Sequence, residues 1–179
     1  MADLLPNTIR ILRGALWPSL PWAALFFAAG AAYLLAKKRR VQPLQLAALC
    51  LYAAMLLYGT VLSRVHSAAD FFSPHLAAAP PYFVWHFVPA SPLSQLHFAS
   101  NILLFVPFGL FARLAARKNG ALPASCIAAG VAASCVIELF QLLHGLQFDF
   151  GDLAANTLGT LLGTMLAALL LRIAKRTKK

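Results

Sequence analysis

The chain has 179 residues, of which 61% are apolar and 11% charged, with 15 Lys and Arg against 5 Asp and Glu and a formal charge of +10. A soluble domain is roughly 45 to 50% apolar and about 25% charged, so this composition, with a mean hydropathy of +0.75, excludes most soluble folds and all disordered ones. The positive charge does not indicate nucleic acid, because the basic residues sit in short clusters between long apolar runs rather than on a solvated face.

In chain order, residues 4–16 carry Arg10 and Arg13 in an amphipathic pattern suited to a membrane interface. With Asp3 and these arginines inside it, the amino-terminal stretch does not read as a secretory signal. Apolar runs over residues 20–36, 44–62, 99–114, 122–143 and 153–173 each approach the length a helix needs to cross the hydrocarbon core. The third contains Pro107, which predicts a kink. No alternating barrel pattern occurs, and backbone groups in lipid must be satisfied internally. The fold class is therefore an all-α, polytopic integral membrane helical bundle of about five transmembrane helices. The three cysteines, Cys50, Cys126 and Cys135, all fall within apolar runs and read as packing residues.

Orientation follows from the basic residues. Those at 37–40, 113–118 and 172–179 account for twelve of the fifteen and mark one side as cytoplasmic. The localisation expected is a multi-pass protein of the bacterial inner membrane with its C terminus in the cytoplasm. The long loop 63–96 then lies outside and is rich in Pro and aromatics, including Tyr82, Phe83 and Trp85. Such a segment suits the headgroup level, where it would cap the bundle.

The polar residues within the spans carry the functional signal. Helical spacing puts Ser134, Glu138 and Gln141 on one face of the fourth span, and Asp152, Asn156, Gly159 and Gly163 on one stripe of the fifth. The glycine notch predicts that the fourth and fifth spans pack together. The third span adds His97 and Asn101 one helical turn apart. An intramembrane carboxylate such as Glu138 is costly and usually faces a bundle interior or wet cavity. Asn101, Ser134, Glu138, Gln141, Asp149, Asp152 and Asn156 are thus the candidate ligand-binding residues, with His97 as a charge partner. Blander roles also fit: Asp152 as a helix cap, and Asn101 and Asn156 as interhelical hydrogen-bond donors. No metal site and no cofactor are expected.

Three strings occur in order: Asn101-Ile-Leu-Leu-Phe-Val-Pro-Phe-Gly109, Ser134-x-x-x-Glu138-x-x-Gln141, and Asp149-x-x-Asp152-x-x-x-Asn156-x-x-Gly159-x-x-x-Gly163. Together, and with Trp85-His-Phe-Val-Pro89 upstream, they resemble the VanZ-like family of bacterial membrane proteins. The resemblance implies a four-helix membrane domain at 44–173, preceded by an added span and basic linker at 1–43 and followed by a basic tail at 174–179. It also implies a link to low-level resistance to the glycopeptide teicoplanin, with which the family's founding member is associated. Family members commonly carry an Arg shortly before the first Asp of the loop motif. Here that stretch reads Gly145-Leu-Gln-Phe-Asp149, and Arg64 is the nearest basic residue to take its electrostatic role.

Three functions remain open on the sequence. One is a binding protein whose outward polar pocket holds a lipid-linked cell-wall precursor or a glycopeptide, contributing to antibiotic resistance. A second is a membrane-embedded enzyme acting on a lipid headgroup, with Glu138, Asp149 and Asp152 as the candidate catalytic carboxylates. The third is a lipid or small-molecule transporter, for which the chain offers neither polar groups across the full bilayer nor an internal repeat. The partners expected are the lipid bilayer and that precursor or glycopeptide, and no nucleic acid.

Overall fold

A computed structural model of the chain describes residues 4–36, 43–60, 82–85, 91–116 and 123–177. Among these, five helices carry the fold: α1 (Leu4–Ala36), α2 (Pro43–Thr60), α3 (Pro92–Ala116), α4 (Pro123–Leu143) and α5 (Phe150–Arg176). Helices α2 to α5 are long and apolar enough to cross a membrane. In α1 the apolar stretch, Leu16–Ala32, is shorter. The fold is a helical membrane bundle, as the composition requires. Two strands, β1 (Phe83–Val84) and β2 (Phe148–Asp149), add a small parallel pairing, Phe83 to Phe148 and Val84 to Asp149, that hydropathy does not signal.

The helix ends follow local chemistry more than hydropathy. Helix α1 runs unbroken through Pro18 and Pro21, so residues 4–16 are not a separate interfacial helix. Each proline removes a backbone donor, and in that turn the buried Ser19 hydroxyl donates to the Leu16 carbonyl at 2.8 Å. Helix α3 begins seven residues before its apolar run. There Ser91 and Ser94 exchange backbone-to-hydroxyl bonds at 2.9 and 3.1 Å, with Pro92 at the first helical position. Helix α4 ends where Gly145 turns left-handed at φ 83° and the Leu146 N–H closes onto the Gln141 carbonyl at 3.0 Å.

Tyr52, Leu56, Leu104, Phe105, Phe108 and Ile137 form the core between α2, α3 and α4. Pro107 sits within α3 and has no N–H to offer the Leu103 carbonyl one turn back. At the same turn Tyr52 reaches across from α2 and donates its hydroxyl to the Leu104 carbonyl at 2.7 Å, satisfying the polar tip of a buried ring.

Helices α3 and α5 run in the same direction and touch through backbone. A methyl group on Gly109 would collide with the Thr160 carbonyl, one on Gly159 with the Ile102 carbonyl, and one on Gly163 with the Val106 carbonyl. The fourth and fifth spans do pack together as expected, through Asn156 and Thr160, but the Gly159 and Gly163 notch seats α3 instead of the fourth span. The reason lies in the helical wheel of α5. Asn156 and Thr160 face α4, where Thr160 fills the gap left by Gly130, while Gly159 and Gly163 turn toward α3. One stripe in the sequence becomes two interfaces, and α5 is wedged between α3 and α4.

Candidate functional site

Because α3 and α5 start at the same end as α4 finishes, their polar residues gather there. Asp149 is the N-cap of α5, its Oδ1 accepting from the Gly151 N–H at 2.7 Å. Asp152 falls in the first turn, so the cap assigned to it by sequence belongs to Asp149. In a capping box the carboxylate three residues on would reach back to the cap's own N–H. Here Glu138 takes that N–H instead, Oε2 accepting from Asp149 N at 3.0 Å. Asp152 turns to α3, where the Asn101 amide is within hydrogen-bonding reach and His97 is near enough for electrostatic attraction.

Burial separates these groups. Glu138 is 1% exposed and Asn156 4%. Asn156 Nδ2 donates to Ser134 Oγ at 2.8 Å, joining α5 to α4 in the interior, and the amide oxygen of Asn156 has no hydrogen-bond partner among the described residues. Asp149, Asp152 and Asn101 are half-buried, and His97 is exposed. Gln141 donates to the Thr60 carbonyl at 3.4 Å and so ties α4 to the last carbonyls of α2. The seven candidate residues thus lie between one end of the bundle and its middle, with Ser134, Glu138 and Asn156 buried as connectors. His97 is near enough to Asp152 for electrostatic attraction. Arg64 and most of the aromatic loop fall outside the described residues.

The described part of that loop packs on the site. Trp85 stacks on Phe150 with ring centroids 3.7 Å apart and an 8° interplanar angle, and Phe83 lies against Phe148 at 5.8 Å. Trp85 is 65% exposed and Phe83 51%, so an apolar surface flanks the carboxylates. The Phe148 N–H donates to the Tyr82 carbonyl at 2.8 Å, fixing this segment to the turn that holds Asp149. Among the described residues no group of three or more His, Cys, Asp and Glu is placed to hold a metal ion. The sequence reading overlooked Thr160, though it stands one turn from Asn156, and the Thr60 carbonyl, which only tertiary structure could supply.

The described residues also line apolar cavities. One of about 280 Å³ lies mid-bundle between Phe26, Leu56, Phe108 and Ile137. Another, of about 430 Å³, lies along the α4–α5 face and includes Phe150 in its wall.

Fold and site together define a multi-pass helical membrane protein with carboxylates and amides concentrated at one end of its bundle. Residues 49–171, more than half of the chain, match the VanZ/LLP1 family model, and the chain belongs to this VanZ-like family. No curated protein and no solved structure matches it. Helix α1 lies wholly outside the matched region.

Proposed function

We propose that this is a binding protein of the cell envelope that holds an amphiphilic ligand, a lipid-linked wall precursor or a glycopeptide, and thereby contributes to teicoplanin-type resistance. The observation that carries the reading is the placement of Asp152, a half-buried carboxylate within reach of the Asn101 amide and the field of His97, two residues from Phe150, on which the exposed Trp85 stacks. Carboxylates accept hydrogen bonds and attract cations, while exposed rings accept sugar and aryl faces. The groups recognised are then hydroxyls and amines, which both ligand classes carry.

The positive-inside rule supports a position in the bacterial inner membrane with the acidic end outside, since Arg113, Lys175 and Arg176 lie toward the opposite helix ends. The final steps of wall assembly take place on that side. Glu138, engaged with the Asp149 N–H and 1% exposed, serves to hold the turn rather than to meet the ligand.

Titration of teicoplanin, and separately of a lipid-linked wall precursor, into the purified protein tests the reading. Loss of a charged hydrogen bond in Asp152→Asn should weaken binding by about 10- to 100-fold. Equal affinity for wild type and variant, or no binding of either compound, would overturn it. A new lipid product dependent on Asp152, seen by lipid profiling of expressing cells, would establish the enzyme in its place.

A further inference from the structure

The α4–α5 cavity is a groove with a direction. Its upper end is formed by Phe150, the ring that stacks on Trp85, and by Leu153, which follows Asp152 in the chain. From there it descends along Ala154 to Leu161, with Ile127 and Val131 forming the α4 wall at the lower end. The one hydroxyl on its lining is turned away, since Thr157 donates to the Leu153 carbonyl at 2.7 Å. Leu161 is 37% exposed, so the groove opens toward the lipid. From Phe150 to Leu161 the helix rises about 16 Å, half of a roughly 30 Å hydrocarbon core. Its depth is that of one leaflet.

We propose that this groove holds the hydrocarbon chain of the ligand, so that the amphiphile enters sideways from the bilayer and presents its polar head to Asp152. The inference rests on the reading of Asp152 given above and adds the route and the chemical class: a head with amine or hydroxyl donors on a chain about one leaflet long. Two features select this occupant. The groove starts at Phe150, in the first turn of α5 that also carries Asp152, and its length matches a single chain anchored there. Transfer from lipid to an apolar wall releases little hydrophobic free energy, because lipid tails are as apolar as leucine. The groove therefore orients the molecule, and the head supplies the selectivity.

The full chain in vesicles of phosphatidylethanolamine and phosphatidylglycerol, photolabelled with a long-chain alkylamine bearing a diazirine near its chain end, tests this. Labelling should fall on 127–131 and 157–161, saturate, and be competed by unlabelled alkylamine. Ala154→Phe, which fills the groove, should lower it by about tenfold, as expected for an overpacked site. Val131→Phe, at the deep end, should shift preference to shorter chains, a change that general destabilisation would not produce. Ala132→Phe, in the mid-bundle cavity, should leave labelling unchanged.

Labelling that rises linearly with probe, or persists in Ala154→Phe shown to be folded by its melting profile, means bulk lipid only and overturns the proposal. Efficient Leu161→Cys disulfide dimers would assign the face to a second copy and overturn it equally. Saturable labelling that survives Asp152→Asn supports the groove while overturning the acidic end as the head site. Labelling that shifts to the Asp152 end in Ala154→Phe overturns the groove and leaves the head site standing.

Discussion

Glu138 and Asp152 are both carboxylates of the acidic end, and their surroundings give them different consequences. Glu138 accepts the Asp149 N–H from a position 1% exposed, so removing the acceptor leaves a backbone donor without it. Glu138→Ala should cost about 1 to 3 kcal/mol, read as a lowered Tm in detergent, whereas Glu138→Gln keeps an acceptor oxygen and should lose less. Asp149→Ala removes the N-cap of α5 and should cost about 1 kcal/mol, with Asp149→Asn close to neutral. If Glu138→Ala melted like wild type, the turn would not depend on this contact. The type and spacing of the polar residues were legible in the sequence. What each one bonds to was not, because Asp149 N–H has its acceptor eleven residues back in the chain and Gln141 has its own on α2.

At the scale of helices, glycine sets the distances. Gly163→Leu should drive α5 away from the Val106 carbonyl and weaken the bundle by more than about 3 kcal/mol, because backbone cannot yield as a side chain can. Gly14, with nothing near its Cβ position, should tolerate Ala, so the contrast in Tm checks the packing directly. A Ser134→Cys and Asn156→Cys pair, in a background without Cys50, Cys126 and Cys135, should crosslink under mild oxidation, since the native side chains meet at 2.8 Å. The GxxxG spacing announced close packing, yet it named no partner. Helix α3 took the notch because Gly109 and the carbonyls of Ile102 and Val106 offer a bare surface beside the Pro107 turn, a complementarity visible only once both helices are placed. Hydropathy likewise placed the start of α3 late, because Ser94, Gln95 and His97 dilute a first turn that the Ser91 cap secures.

At the scale of the molecule, charge and topology meet. Arg113, Lys175 and Arg176 lie at the end opposite Asp149 and Asp152, and the fold keeps those two sets apart because α3 and α5 run parallel. Reporter enzymes fused after residue 177 and within the turn at residue 146 should report opposite sides of the membrane, cytoplasmic and external respectively; the same side for both would refute the topology. The parallel pairing also bears on biogenesis. The ribosome delivers α3 long before α5, and two parallel helices cannot close on one another until the intervening α4 has crossed the membrane. Until then the flank of α3 at Ile102, Val106 and Gly109 has no mate, and a chain stalled before Phe150 is left with its tightest joint open. Helix α5 is thus the element that locks α3 in place, so the tightest joint of the bundle closes only after α5 has been made.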